Sequence, residues 1–136
     1  MASTPAATAP LTASCHCGRV TFAIPAPPTK CNECRCSICY AYGVFWAYYT
    51  RRDVTVTTAG TGAEIKAGEN ADLSEYKRTD AAAAGSEAFY RCANCGCMTH
   101  WWGLGANASD DAKMGVNARL LGENAIEGVE SYIGRC

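Results

Sequence analysis

A mainly β fold in one domain is what this sequence predicts, and three features predict it. Short segments alternate apolar and polar residues, which is the period of a half-buried strand. Thirteen glycines and five prolines punctuate those segments. The length, 136 residues with 49% apolar, suits a single domain. A chain of this size buries roughly two-thirds of its unfolded surface, enough for a modest core.

The elements follow in order. Residues 1–12 are rich in Ala, Thr and Pro and read as a disordered tail, so the domain is expected over 13–136. Residues 18–24 set Val20, Phe22 and Ile24 against Arg19, Thr21 and Ala23, a strand that prolines in 25–28 stop. Residues 43–50 are aromatic and β-branched and read as a second strand. Residues 53–58 alternate and read as a third, and 59–72 as loop. Residues 73–78 form a short strand. The alanine run in 79–85 suits either a short helix or a hairpin loop. Strands are expected at 86–91, 97–102 and 113–121, and one helical turn within 122–129.

Charge excludes some functions. The net charge is −1 with no long basic run, against the clustered Lys and Arg that nucleic acid requires. No apolar stretch approaches the ~20 residues of a membrane span. Residues 1–10 have neither the basic nor the apolar region of a secretory leader, so the expected compartment is the reducing cytoplasm.

Ten cysteines there point to metal rather than disulfides. Cysteines two apart rarely bridge each other but readily share an ion, and soft thiolates at such spacing suit tetrahedral zinc. Cys15-His-Cys17-Gly and Cys92-Ala-Asn-Cys95-Gly each supply two ligands from a tight turn. Joined, they make a closed four-thiolate site, worth on the order of 10 kcal/mol of apparent binding free energy. The central cluster, Cys31-x2-Cys34-x-Cys36-x2-Cys39, is open to three assignments. Cys34, Cys36 and Cys39 alone leave one coordination position for chemistry. Cys31 as fourth ligand closes the site, or it stands beside it as a free thiol.

Cys15-His-Cys17-Gly-Arg-Val, Cys34-Arg-Cys36-Ser-Ile-Cys39 and Phe89-Tyr-Arg-Cys92-Ala-Asn-Cys95-Gly, in that order, resemble the signature of the glutathione-dependent formaldehyde-activating enzymes. That family shares a domain with centromere protein V, and the resemblance spans about residues 13–121. It implies a β-tent fold of small sheets around two zinc ions. It implies structural zinc on Cys15, Cys17, Cys92 and Cys95, and catalytic zinc on Cys34, Cys36 and Cys39. The implied activity is that of a carbon–sulfur lyase forming S-(hydroxymethyl)glutathione from glutathione and formaldehyde. The expected partners are thus a small-molecule thiol and an electrophile. Cys31 and Cys97 depart from the family pattern, and the chain ends at Cys136 where many relatives add a strand. Two rival readings are a non-catalytic zinc module for protein binding and a redox or metal-buffering protein.

Other residues are candidates in this light. His100 is either a general base or partner beside the zinc, or a partly buried histidine bonded to backbone. His16 reads as an outward turn residue. Phe45, Trp46, Tyr48 and Tyr49 must alternate between two faces, so one face walls a pocket beside the central cluster. Arg35, Arg51, Arg52 and Arg119 are candidate anchors for carboxylates.

Overall fold

The computed structural model describes residues 11–58, 72–79 and 85–134. The expected loop at 59–71, the alanine run at 80–84 and Cys136 lie outside the described residues.

The predicted mainly β fold is what forms. Its strands are β1 (Leu11–Ser14), β2 (Val20–Ile24), β3 (Lys30–Cys34), β4 (Trp46–Thr50), β5 (Thr55–Thr58), β6 (Leu73–Lys77), β7 (Glu87–Cys92), β8 (Met98–Gly103), β9 (Lys113–Asn117) and β10 (Glu130–Gly134). Two short helices, α1 (Ser37–Tyr42) and α2 (Glu123–Ile126), interrupt them. No helix among the described residues is long and apolar enough to cross a membrane.

The strands make two sheets. The small one runs β1-β2-β5 and the large one β10-β3-β4-β9-β8-β7-β6. Neighbours are antiparallel except β10, which lies parallel to β3.

Several boundaries differ from the sequence expectation. Leu11 and Thr12, assigned to the tail by composition, belong to β1 and pair with Ile24 and Ala23. β3 was not anticipated, because its cysteines read as a turn. β10 was not anticipated either, since its burial is slight along most of its length. The strand expected from residue 43 starts at Trp46, because α1 ends at Gly43. Gly43 adopts φ 70° and its N–H caps the carbonyls of Cys39 and Tyr40, a left-handed stop that glycine accepts without strain. The strand expected over 113–121 ends at Asn117, whose side chain accepts the Arg119 N–H and turns the chain.

The core lies on both faces of the large sheet. On one face Val20, Phe22, Ile24 and Val56 of the small sheet pack with Ala47, Met114, Val116, Ala88, Tyr90 and Trp102. On the other, Trp46, Phe89, Met98 and Trp101 pack with Val44, Cys34 and Cys39. Strand alternation makes this division, as Trp46 and Ala47 on β4 show. Burying each large apolar side chain is worth roughly 1.5–3 kcal/mol. The cysteines at Cys34 and Cys39 are therefore held by packing.

Candidate functional site

Two matching turns build the first site. In one, the Cys15 N–H donates to the Val20 carbonyl at 2.9 Å and the Gly18 N–H to the Cys15 carbonyl at 3.1 Å. In the other, the Cys92 N–H donates to the Cys97 carbonyl at 2.9 Å and the Gly96 N–H to the Cys92 carbonyl at 3.0 Å. Gly18 and Gly96 sit at φ 83° and 81°, a conformation that a side chain would strain.

These turns bring Cys15, Cys17, Cys92 and Cys95 together, with all four sulfurs within 4.8 Å of one another. Cys15 and Cys17 sulfurs are 3.7 Å apart, and those of Cys17 and Cys92 3.6 Å. Zinc–sulfur bonds of about 2.3 Å in a tetrahedron place sulfurs about 3.8 Å apart, so the set fits zinc. Backbone N–H groups point at the sulfurs: Val20 at Cys15, and Asn94 and Cys95 at Cys92. The Cys97 amide chiefly draws the Cys95 thiol down to about 5, and the Asn94 side chain chiefly lowers that of Cys17. Burial pushes Cys92 up to about 11. Two of the four thiols are thus biased toward the thiolate that metal binding needs.

The second site takes one residue from a strand, one from the N-cap of a helix and one from the helix itself. Cys34 ends β3, Cys36 precedes α1, and Cys39 follows on its first turn. Their sulfurs also lie within 4.8 Å of one another. The Trp46 indole N–H donates to the Cys39 sulfur at 3.2 Å, a bond that favours an electron-rich sulfur. Cys34 and Cys39 are buried and Cys36 is half-buried. Among the described residues no fourth Cys, His, Asp or Glu joins them.

The structure does not bring Cys31 to the triplet. It packs in the core cluster on one face of the large sheet, while Cys34 packs in the cluster on the other. An odd separation along a strand has this result. Burial raises the Cys31 thiol.

His100 is likewise separated from the triplet. It lies wholly inside, stacked on Tyr90 at 4.8 Å and edge-on to Trp102 at 4.5 Å, both of the opposite face. Its Nδ1 bonds the Thr99 hydroxyl at 2.9 Å. Burial first and the Arg51 charge second hold it neutral, with a pKa of about 3. It is a core histidine, bonded to a side chain rather than to backbone. His16 is exposed, as expected.

A cleft of about 180 Å³ opens at the triplet, lined by Glu33, Cys34, Cys39, Tyr40, Val44 and Arg119 among others. The Arg119 guanidinium lies 4.4 Å from the Phe45 ring centre. Arg35 donates to Glu33 at 2.8 Å and faces the Tyr40 ring. Of the four candidate arginines, Arg119 and Arg35 are therefore beside the triplet. Arg51 instead covers Trp102 at 4.2 Å and bonds backbone carbonyls, and Arg52 pairs with Asp111. Trp46 and Tyr48 pack on the triplet's face, with Phe89 and Trp101 beyond them, but of the aromatic run it is Phe45 that lines the cleft.

Sequence reasoning missed Glu33 and Arg91. Glu33 lay hidden in a cysteine cluster read only for its thiols. Arg91 was legible, because it follows Phe89 by two residues on one strand and so shares its face.

The fold and these two thiol clusters define a mainly β domain able to hold two metal ions. Among solved structures, the chain is similar to a crystal structure of a Rhodobacter sphaeroides protein, at 22% identity. The likeness covers 89% of this chain and 99% of that one, with a TM-score of 0.62, and it extends to the fold. No family model and no curated protein matches the chain.

Proposed function

We propose that this chain is a cytoplasmic two-zinc carbon–sulfur lyase of the glutathione-dependent formaldehyde-activating type. The observation that carries the reading is the count at the second cluster, three thiols with Cys31 turned away. A tetrahedral ion held by three protein ligands keeps a place for an outside one. Zinc bound there would supply Lewis acidity, lowering the pKa of a thiol that meets it.

The surrounding residues have distinct tasks. Cys34, Cys36 and Cys39 hold the ion, and Trp46 fixes the Cys39 sulfur through its N–H. Arg119, lining the cleft, receives a carboxylate of a glutathione-like thiol, as planar guanidinium groups do. Glu33 lines the same cleft and is the proton acceptor. The thiol sulfur adds to the carbonyl carbon of a small aldehyde such as formaldehyde. The π pair moves to oxygen, and oxygen gains the proton that sulfur lost.

Metal quantification with zinc-edge X-ray absorption tests the site. The expected result is two zincs averaging about 3.5 sulfurs, the mean of a four-thiolate and a three-thiolate site. Cys36→Ser should abolish adduct formation from glutathione and formaldehyde while the circular dichroism spectrum is kept. An average of four sulfurs, or unaltered turnover in that variant, would overturn the assignment. Four sulfurs without turnover would favour a protein-binding zinc module.

A further inference from the structure

A second pocket, an open groove of about 490 Å³, lies on the other side of α1 from the thiol cleft. Its volume falls within the ~300–1,000 Å³ of small-molecule sites. The helix divides the two spaces. Cys39 and Tyr40 face the thiol cleft, whereas Ser37, Ile38, Ala41 and Tyr42 face this one. The opposite wall is Tyr76 of β6, Thr79 and Arg91 of β7.

The chemistry of the lining is specific. Ile38, Ala41 and the rings of Tyr42 and Tyr76 make an apolar slot. Tyr42 is held by packing against Phe89, with ring centres 5.8 Å apart. Among the described lining residues Arg91 is the only cation and none is a carboxylate. The described acids on the neighbouring strands are engaged elsewhere. Glu75 accepts the Tyr90 hydroxyl at 2.5 Å, Glu87 pairs with Arg78 at 3.0 Å, and Asp72 pairs with Arg19 at 3.3 Å. The register shift beside Arg91 lies on the partner strand, where Thr99 is the extra residue between His100 and Met98, so β7 keeps its alternation and Arg91 shares the face of Phe89.

We propose that this cavity is a binding site for a ring-sized apolar carboxylate, its ring between Tyr42 and Tyr76 and its carboxylate on Arg91. A guanidinium fork matches a carboxylate in two parallel hydrogen bonds. Two tyrosine rings offer edge or offset contacts to a third ring. A phosphate site usually gathers several N–H donors, and here one guanidinium is present. The site contains no thiol, so it goes beyond the lyase reading and does not depend on it.

The test is an NMR titration of the zinc-loaded full chain with phenylacetate, which carries neither thiol nor aldehyde. Phenylacetate should shift resonances of α1 and β7 at one saturable site. Phenylacetamide should bind about tenfold more weakly or worse, since it loses a charge-assisted bond worth about 1.5–3 kcal/mol, and acetate likewise, since it keeps that bond but has no ring to bury. Arg91→Gln should weaken phenylacetate by a similar factor, and Ala41→Trp should block it by filling the slot. Both variants should keep two zincs and the wild-type melting temperature, which separates lost binding from lost fold. Equal binding of acetate, no saturable shift, or unchanged affinity in Arg91→Gln would overturn the proposal. Tighter binding of phenyl phosphate with competition by inorganic phosphate would overturn the carboxylate in favour of phosphate.

Discussion

Cys31 and Cys34 lie three positions apart on one extended strand, and that odd number sets them on opposite faces of the sheet. Replacing Cys31 with Ala should leave two zincs bound, whereas Cys36→Ser should leave one. Equal metal loss in both would show that Cys31 ligates after all. Cys31→Ser should be the more damaging change for stability, because it buries a hydroxyl without a partner at about 1–3 kcal/mol. His100 carries a pH prediction of its own. The unfolded chain binds its proton near 6.5 and the folded one near 3, so between these values the unfolded state holds the extra proton. Stability present above 6.5 is therefore lost as pH falls toward 3, at about 1.4 kcal/mol per pH unit. His100→Phe lacks this titration. The stability advantage of the wild type over that variant should shrink across the window, measured by denaturant unfolding. Metal loss in acid affects both proteins and cancels in the difference. A constant advantage would mean that His100 is protonated in the fold.

Elements with a strong alternating pattern were legible in the sequence, and those built on other forces were not. β2 declared itself through Val20, Phe22 and Ile24, all of which are buried, and β5 through its own alternation. β7 and β8 were placed within a residue or two by flanking the second cysteine turn, although β8 is buried at every position. β3 was hidden because its buried positions are two cysteines and an asparagine, residues that read as ligands and turn formers. α1 is six residues long, too short for a helical period to show, and only its Gly43 stop is a local signal. β10 owes its place to the parallel pairing with β3, a long-range contact that no local window contains. The thiol sets were readable for the opposite reason, since cysteine spacing alone nearly determines them. One close contact between elements was not readable at all. A Cβ at Gly115 of β9 would meet Trp101 Cδ1 of β8 at 2.7 Å. Trp101 cannot simply move, being packed against Phe89 and Tyr48. Gly115→Ala should cost about 1–3 kcal/mol and shift the Trp101 indole N–H resonance. A melting temperature and resonance identical to wild type would show that the ring has room.

At the scale of the whole molecule the two thiol sets occupy different places in the fold. Cys15 and Cys17 lie in the turn between β1 and β2 of the small sheet, while Cys92 ends β7 of the large one and Cys95 lies in the turn that follows. A metal on all four ties the sheets together across 75 residues of chain. The triplet, by contrast, joins β3 to the helix that directly follows it, a local link that the core already holds from Trp46 and Phe89. Their contributions to stability should differ accordingly. A structural zinc on four thiolates is worth on the order of 10 kcal/mol, comparable to the entire stability of a small domain. Cys17→Ser should therefore abolish the cooperative thermal transition or lower its midpoint severely, with hydrogen exchange accelerating first in β1, β2 and β5. Cys36→Ser should keep a cooperative transition close to that of the wild type. If the two variants melt alike, the four-thiol site is not what joins the sheets. The apolar contact of Phe22, Ile24 and Val56 with the large sheet would then be the bond between them.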